Sequence, residues 1–442
     1  KQDFLDTLDR PMKALAADVT AALEQAYPQR KWYLHVARIY RDARRLHGNG
    51  PYKENLWFTL RCDSSRGPEI PAFYFEITPH NYSYGMGCYW AKANTMACFR
   101  RAIDAAANGI LEVPRGEYAI ASPLVVTNRC SLEMHPAAHL VATREMDFLL
   151  TWAAAGDYVS LTLFEPDGRI YDNLGLFVRG GDIDGNGLAS CLRLSNAHHF
   201  TLANVTLHNG RRVGLEVSRG EKGYLYELVA NNVYAKCNMK GLAGNVGIDI
   251  GVSDCHLTDI FVIDYTVGIR VRGSSNRLTR CHVWGGTVPP KGMGVREWST
   301  LYGESKRRPW TPEAEREMLA KGLPEMLAGS VAFDIRGWEH TFDGCYADTA
   351  ETGFRVAGGN AILSRCGFYN NPRMGLRKST AIVHRGGRLL VDSCCFNGGA
   401  GCERLYEASG DTTLLWRTNI AQGGADMAAE ARKLAENAGR RD

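Results

Sequence analysis

The sequence predicts a mainly β protein, a right-handed parallel β-helix preceded by a small α+β module. Three observations in the second half of the chain lead to this prediction. A phrase of four residues (small, apolar, polar, apolar) recurs, and neighbouring copies begin 21 residues apart at 247 and 268 and again at 332 and 353. An apolar residue follows ten positions after each start, and a cysteine thirteen positions after four of them. The copies are Gly247–Ile250, Gly268–Val271, Ala332–Ile335, Gly353–Val356 and Ala381–His384.

A period in the twenties with short β-type runs is typical of a solenoid, in which each repeat buries its apolar face by stacking on the next. Because successive side chains of a strand point to opposite faces, Ile269 and Val271 are predicted to face the core and Arg270 to face water. The cysteine column is predicted to lie inside another strand as an inward stack of small, soft side chains. Its members are Cys281, Cys345, Cys366 and Cys394.

Two segments resemble a known superfamily. Gly180–Gly187, which reads GGDIDGNG, resembles the G-x-I-D-G-N-G stretch of polygalacturonase-related proteins, and Phe99–Tyr118 resembles the capping helix and first coil of the same group. The chain thus resembles the pectate-lyase-like superfamily of carbohydrate-active β-helices over about residues 95–420. The resemblance implies the fold and a carbohydrate partner. The N-T-D, D-D, G-H-G and R-I-K pattern of polygalacturonases is not present in the sequence.

Composition sets limits on function. Apolar residues at 45% and charged residues at 23% are ordinary for a globular protein, and a net charge of +4 is too small to indicate nucleic acid as a partner. No apolar stretch reaches the roughly 18 residues of a membrane span. The cysteine column favours free thiols and therefore a reducing, cytoplasmic compartment, with export open if a signal segment was removed. Solenoids of this kind often trimerise along their sides, so a homotrimer is one arrangement open to the chain.

Residues 1–94 are predicted to form the α+β module. Apolar residues at helical spacing predict a helix from Asp6 to Gln25, followed by strand-like runs at Trp32–Ile39, Leu56–Cys62 and Ala72–Ile77. The R-x-x-R-D-x-R pattern at 38–44, with Pro-Tyr-Lys at 51–53, resembles an uncharacterised bacterial family over about residues 5–103. That resemblance implies no activity.

The β-helix is predicted over residues 95–423, beginning with a helix near 94–107. A helical insertion at 286–330 interrupts the repeat, and Thr311 followed by proline and acids predicts a helix from Pro312 to about Lys321. Residues 424–442 are Ala-rich and predict a C-terminal helix over the open end.

Polar residues around the cysteine column form the candidate active site. Glycoside cleavage requires proton donors and acceptors, and aromatic rings stack on sugar C–H groups. Asp348 is the candidate acid or base, with His282 as its partner and Tyr346 beside them, provided that the insertion loops out and leaves the two coils stacked. The residues expected to bind substrate are Arg280, Trp284, Arg365 and Tyr369.

Three other groups received different interpretations. The third residues of the phrases mix charge signs and predict a charge ladder rather than a groove for a charged glycan; they are Arg193, Glu216, Asp249, Arg270, Asp334 and Arg355. Asp182 and Asp184 are predicted to have a structural role in a glycine-rich turn. No cofactor or metal is expected; calcium at Asp249, Asp254 and Asp259 is the alternative, which residues five apart do not favour.

The sequence therefore favours a carbohydrate-active β-helix enzyme that cleaves glycosidic bonds in a poly- or oligosaccharide. A glycoside hydrolase is preferred, and a polysaccharide lyase or a transferring enzyme stays open. The alternative from another class is a non-catalytic glycan-binding or structural β-helix, similar to an adhesin or a tail spike.

Overall fold

The computed structural model describes most of the chain. The described residues are 2–40, 52–62, 72–87, 109–126, 130–153, 176–195, 200–218, 228–237, 242, 244–285, 287–288, 311, 313, 316, 320, 325–370, 379–398, 402–422 and 427–438. Most of the insertion and the helix predicted near 94–107 lie outside them. None of the described helices is both long and apolar enough to cross a bilayer.

A small α+β part precedes the solenoid, as predicted. Its helical segments are α1 (Gln2–Phe4), a π-helical stretch (Leu5–Asp9) and α2 (Arg10–Ala26). Its antiparallel sheet contains, in spatial order, β1 (Tyr33–Val36), β2 (Leu56–Arg61), β3 (Ala72–Ile77) and β4 (Tyr82–Gly87). Met12 and Ala16 of α2 pack on the buried side chains of Leu56, Phe58 and Leu60, so one apolar helix stripe covers one face of the sheet. Strand β4 was not predicted from the sequence.

The rest of the described chain forms a parallel β-helix, which confirms the predicted fold class. Its strands build three parallel sheets, here called sheets I, II and III, and each turn of the chain contributes one strand to each sheet. The phrase occupies sheet I. In the described residues sheet I contains β7 (Leu124–Val126), β10 (Phe148–Ala153), β13 (Ser190–Ser195), β16 (Val213–Ser218), β19 (Val246–Ile250), β22 (Val267–Val271), β27 (Val331–Ile335), β30 (Thr352–Val356), β33 (Ser379–His384) and β36 (Cys402–Ala408).

Sheets II and III complete each coil. Sheet II contains β5 (Ile110–Val113), β8 (Ser131–Met134), β11 (Phe177–Arg179), β14 (Thr201–Ala203), β17 (Val229–Asn231), β20 (His256–Thr258), β23 (Arg277–Thr279), β28 (His340–Asp343), β31 (Asn360–Ser364), β34 (Gly387–Asp392) and β37 (Thr412–Arg417). Sheet III contains β6 (Gly116–Ile120), β9 (Ala138–Ala142), β12 (Asp182–Asp184), β15 (Thr206–His208), β18 (Tyr234–Lys236), β21 (Phe261–Ile263), β24 (His282–Trp284), β29 (Tyr346–Asp348), β32 (Gly367–Tyr369), β35 (Cys395–Asn397) and β38 (Ile420–Gln422).

Close stacking of the coils explains the small residue that begins each phrase. A Cβ atom on Gly268 would lie 2.6 Å from the backbone oxygen of Ala332 in the next coil and 2.2 Å from a methyl group of Val283. Gly353 is confined in the same way, 2.6 Å from the oxygen of Ala381. Only glycine, or alanine with a small local adjustment, fits this column.

The cysteine column is buried as expected, but it does not lie inside a strand. Cys281 and Cys366 each stand one residue before a strand of sheet III, in the corner that follows sheet II. The preceding residues, Arg280 (φ 51°) and Arg365 (φ 53°), adopt the left-handed conformation, which breaks the extended backbone and turns the cysteine inward. The described cysteines are all free thiols. Burial suits them because each is a small, weakly polar side chain.

The charge ladder on sheet I follows the predicted register. Arg193 pairs with Glu216, Arg270 pairs with Asp334, and Arg355 reaches Asp334 from the following coil. The predicted exposure of Asp334 is wrong. Its side chain is 0% accessible because Arg270, Arg336 and Arg355 surround it. Burial would raise the pKa of Asp334, but the hydrogen bonds and charges of Arg355 and Arg336 outweigh that effect and lower the pKa below its ordinary value.

The insertion leaves the solenoid without disturbing its register. Strands β25 (Thr287–Val288) and β26 (Glu325–Met326) pair antiparallel at its base, and β24 pairs directly with β29 across it. The helix predicted from Pro312 to Lys321 falls mostly outside the described residues. The boundaries at residues 94 and 423 stay predictions.

A C-terminal helix, α3 (Met427–Ala438), covers the last strand of sheet I. The carboxylate of Glu430 accepts hydrogen bonds from the backbone N–H groups of Leu405 (2.9 Å) and Tyr406 (3.2 Å) in β36. The helix therefore satisfies backbone donors at the edge of the sheet, where an uncovered strand can pair with another chain.

Replacing Asp334 with alanine is expected to destabilise the protein by about 1.5–3 kcal/mol, because the charged hydrogen bonds from the three arginines to its buried carboxylate are lost. Urea unfolding followed by circular dichroism measures the change. Asp147→Ala is the matched control, since Asp147 also pairs with arginines but is exposed, and its effect should be far smaller. Equal losses of stability in the two variants would contradict the stabilising role of the buried Asp334 carboxylate. Since the pKa of Asp334 is lowered, its contribution is present above the unfolded-state pKa and is lost as pH falls.

Candidate functional site

The outward face of sheet III is the surface on which most of the predicted site residues lie. Its central strands are three residues long, and the middle residue, such as Val283, Ala347 or Phe368, is buried. The first and third residues therefore form two outward rows that cross the coils. The first row contains His139, Asp182, Thr206, Tyr234, Phe261, His282, Tyr346, Gly367 and Cys395. The second contains Val141, Asp184, His208, Lys236, Ile263, Trp284, Asp348, Tyr369 and Asn397.

Five of the seven predicted residues come together on three successive strands of this face. His282 is the register partner of Tyr346, Trp284 is the partner of Asp348, and Asp348 is the partner of Tyr369. The condition set by the sequence analysis is met, because the coils before and after the insertion stack directly. These five residues are called the aromatic group below.

His282 is the centre of contacts within the aromatic group. Its ring meets that of Tyr346 edge to face with centroids 4.9 Å apart, and Phe261 lies 5.6 Å away on the other side. Its Nε2 atom is 3.7 Å from Oδ2 of Asp348, which is longer than a hydrogen bond. This nitrogen is buried and has no hydrogen-bond partner among the described residues. Oδ1 of Asp348 accepts a hydrogen bond of 2.6 Å from the hydroxyl group of Thr349.

Tyr346 is held neutral at ordinary pH. Burial raises the pKa of its phenol, and the charges of Asp348 and then Tyr369 raise it further. A neutral phenol next to a carboxylate and an imidazole can donate a hydrogen bond to a hydroxyl or ring oxygen of a sugar.

The other two predicted residues, Arg280 and Arg365, lie apart from the aromatic group. Both occupy the corner between sheets II and III, and both are exposed. Arg280 donates two hydrogen bonds of 2.7 Å to the carboxylate of Asp259, and Arg365 forms the same fork with Asp343. The hydrogen bond from Arg280 lowers the pKa of Asp259. Each guanidinium is thus already paired within the corner.

A second polar cluster lies further along the same face, at the end nearer the N-terminus. It consists of His139, Asp182, Asp184 and His208, and is called the carboxylate–imidazole cluster below. Nδ1 of His208 lies 2.9 and 3.0 Å from the two carboxylate oxygens of Asp182. Nε2 of His139 lies 3.6 Å from Asp182 and 3.8 Å from Asp184. Both aspartates were predicted from the sequence to have a structural role, and neither histidine was predicted as a site residue.

Asp184 is fixed by two donors, and the turn beside it has the predicted structural function as well. Its Oδ1 atom accepts hydrogen bonds from the backbone of Asn186 (2.7 Å) and the side chain of Asn209 (3.0 Å). Gly180 and Gly181 adopt positive φ angles of 70° and 73°, which glycine permits without strain. The polar–apolar–polar pattern shared by strands β12 and β15 is the signal that could have located the cluster.

The pKa of His208 is raised above its ordinary value. The hydrogen bond to Asp182 is the main cause; burial opposes it, the charges of Asp182 and Asp184 add to it, and Lys236 in the next coil opposes it. The imidazolium form therefore persists to higher pH than in a free histidine.

Calcium at Asp249, Asp254 and Asp259 receives no support. Asp249 pairs with Arg270 and Arg272 on sheet I, whereas Asp259 pairs with Arg280 in the corner between sheets II and III. In the described part of the chain no three His, Cys, Asp or Glu side chains are grouped so as to hold a metal ion.

The fold places the chain among parallel β-helix proteins. Residues 1–138 match the model of a family described as a conserved hypothetical protein (DUF2461), a range that includes the first coils of the solenoid. No curated protein matches the chain.

Solved structures with similar coordinates share little sequence. The A-module of mannuronan C-5 epimerase AlgE4 from Azotobacter vinelandii is 13% identical, with 75% of this chain and 92% of that chain covered and a TM-score of 0.48. PfbA, a surface adhesin of Streptococcus pneumoniae, is 12% identical, with 73% and 90% covered and a TM-score of 0.37. Endo-xylogalacturonan hydrolase from Aspergillus tubingensis is 13% identical, with 75% and 95% covered and a TM-score of 0.36. Likenesses of this strength do not define an activity.

The pKa values of three histidines are expected to be shifted in different directions, that of His208 upwards and those of His340 and His384 downwards. The pKa of His208 should lie above 6.5, while burial lowers the pKa values of His340 and His384 below it. Histidine-selective NMR across a pH series measures all three, and His208→Gln assigns its signal. His208 therefore contributes stability below the unfolded-state pKa that is lost as pH rises through the folded value. For His340 and His384 stability is lost as pH falls. Three values near 6.5 would contradict these environments.

Proposed function

We propose that the protein is a carbohydrate-active enzyme that cleaves glycosidic bonds in a poly- or oligosaccharide bound along the outward face of sheet III. One observation carries the proposal: on this face, aromatic rings and carboxylate–imidazole contacts follow one another on successive strands. Strands stack about 4.8 Å apart, which is comparable with the length of a sugar unit in an extended glycan. Adjacent sugars can therefore meet equivalent positions of adjacent coils.

The aromatic group supplies the contacts that a neutral sugar face requires. Trp284, Tyr346 and Tyr369 offer apolar ring surface with polar atoms at the edge, which suits a ligand that has C–H and O–H groups side by side. Asp348 and His282 add a carboxylate and an imidazole that can exchange protons with sugar hydroxyl groups. In this proposal Asp348 and His282 contact the bound sugar; the acid–base role of Asp348, with His282 as its partner, stays a prediction from the sequence.

Hydrolysis is preferred over elimination. Elimination from a uronate requires a cation or an arginine that neutralises the sugar carboxylate. Arg280 and Arg365 are the arginines predicted for that contact, and both are engaged with Asp259 and Asp343. Hydrolysis requires only a proton donor, a proton acceptor and water.

A non-catalytic glycan-binding protein is the second candidate. The 3.7 Å separation between His282 and Asp348 favours it, because a catalytic pair in contact usually lies within hydrogen-bond distance. An aromatic face without chemistry would still retain a glycan.

Asp348→Asn is expected to lower kcat/KM for glycan cleavage at least about tenfold, because a carboxylate in contact with the substrate is lost. Neutral and uronate-containing polymers are incubated with the protein, and products are measured as new reducing ends and as absorbance of unsaturated uronates. Reducing ends without that absorbance support a hydrolase. Asp411→Asn, an exposed aspartate outside this face, is the matched control and should retain full activity.

Other outcomes separate the alternatives. Absorbance of unsaturated products indicates a lyase. Binding of a polymer without cleavage, measured by calorimetry on the same panel, indicates the non-catalytic protein. Equal activity in Asp348→Asn and Asp411→Asn would contradict the assignment of Asp348.

A further inference from the structure

The carboxylate–imidazole cluster lies on the proposed glycan face but at some distance from the aromatic group. Strands β15, β18, β21, β24 and β29 are successive in sheet III, so His208 and Asp348 are four strands apart, or about 19 Å at strand spacing. Both are third residues of their strands and belong to the same outward row. One extended glycan chain can reach both.

We propose that His208 is the general acid of glycan cleavage, positioned by Asp182, and that Asp184 is the general base. This inference rests on the proposed function and assigns its chemistry to named groups. The aromatic group then binds the glycan on one side of the bond that is cleaved.

The contact between His208 and Asp182 defines which nitrogen carries which proton. An ionised carboxylate only accepts hydrogen bonds, so Nδ1 of His208, at 2.9 and 3.0 Å from its two oxygens, is the donating nitrogen. The ring is thereby fixed in orientation, and Nε2 is left as the nitrogen that exchanges a proton with substrate. His208 is half-buried on the outward face, where a glycan can reach it.

A purely structural histidine of this protein has a different environment. His340 is fully buried at the start of β28, where Nδ1 accepts a hydrogen bond from the backbone of Asn276 and Nε2 lies 2.7 Å from the carbonyl oxygen of Arg336. Both of its nitrogens are bound to backbone. His208 instead has a single carboxylate partner among its described contacts, the arrangement found in acid–base catalysis.

Asp184 has the properties of a base. Two hydrogen bonds to Oδ1 from Asn186 and Asn209 hold the carboxylate in place, and Oδ2 lies 3.8 Å from Nε2 of His139. It neighbours His208 on the adjacent strand and stands two residues from Asp182. Because the two residues are register partners, the carboxylate of Asp184 and the imidazole of His208 project from the same face.

The reaction balances with water as the only co-reactant. The imidazolium of His208 gives its Nε2 proton to the glycosidic oxygen as the bond from that oxygen to the anomeric carbon breaks, and the bonding electrons go to the oxygen. Water adds to the anomeric carbon and gives its proton to Asp184. Loss of that proton to solvent and uptake of one by His208 restore the starting state.

His208→Gln and Asp182→Asn test the assignment on the glycan that the wild-type protein cleaves. His208→Gln should lower kcat by about 10²- to 10⁴-fold with KM nearly unchanged, since the acid is lost and the binding surface is retained. Asp348→Asn should act mainly on KM. His256→Gln, which removes an exposed histidine of sheet II, is the matched control and should leave both constants unchanged.

Asp182→Asn tests the pH dependence of the rate, which would not change if Asp182 had only a structural role. The wild-type rate should fall as pH rises through the raised pKa of His208, and removal of the Asp182 carboxylate should move that fall to lower pH. Asp184, His139 and Lys236 also face His208 and are unchanged in the variant. The His208 signal in NMR titration should shift in the same direction, without any substrate.

The outcomes separate this inference from the proposed function. Cleavage that His208→Gln retains in full, or a pH profile and His208 titration that Asp182→Asn does not move, would overturn the assignment while leaving the enzyme proposal standing. No cleavage of any polymer by the wild-type protein would overturn both. Loss of kcat in His208→Gln together with the shifted profile in Asp182→Asn supports the dyad.

Discussion

The parallel register between successive coils is the constraint on which the rest of the structure depends. At about 4.8 Å per coil there is no room even for a methyl group where Gly268 approaches the backbone of Ala332. The thiol of Cys345 in turn lies 3.4 Å from the carbonyl oxygen of Leu278 in the coil before it. Small residues at these columns let every strand reach its neighbours, and the backbone hydrogen bonds then keep the outer rows in line.

Left-handed residues at the corners determine the shape of the functional face. Arg280 and Arg365 end the strands of sheet II and begin sheet III, so that the central strands of sheet III are only three residues long. Each such strand has two outward positions, and the face therefore consists of two rows. Because the insertion between β24 and β29 leaves this register intact, His282 contacts Tyr346 although 64 positions separate them in sequence.

The periodic half of the chain made the fold and the aromatic group predictable, since a repeat with fixed spacing aligns residues of neighbouring coils. The corner conformation was not predictable from the pattern, because arginine has no preference for a positive φ. The cysteines were therefore predicted to lie inside a strand. The carboxylate–imidazole cluster was missed for another reason. His139, Asp182 and His208 occupy adjacent coils of unequal length, so their spacing in sequence shows no period. Predicting this cluster would have required the register between the strands of these coils, which the sequence does not show.

The two outer faces treat their acidic residues in opposite ways, and this difference indicates where proton transfer can occur. On sheet I, Asp334 and Asp249 pair with arginines, whose own pKa lies far above neutral, and these contacts serve stability. On sheet III, Asp182 and Asp184 face imidazoles instead. An imidazole gains or loses its proton near neutral pH, and a carboxylate next to it shifts the balance between the two states. An aspartate therefore belongs to a fixed ion pair on sheet I and to a carboxylate–imidazole pair on sheet III. This difference makes sheet III the face suited to proton transfer.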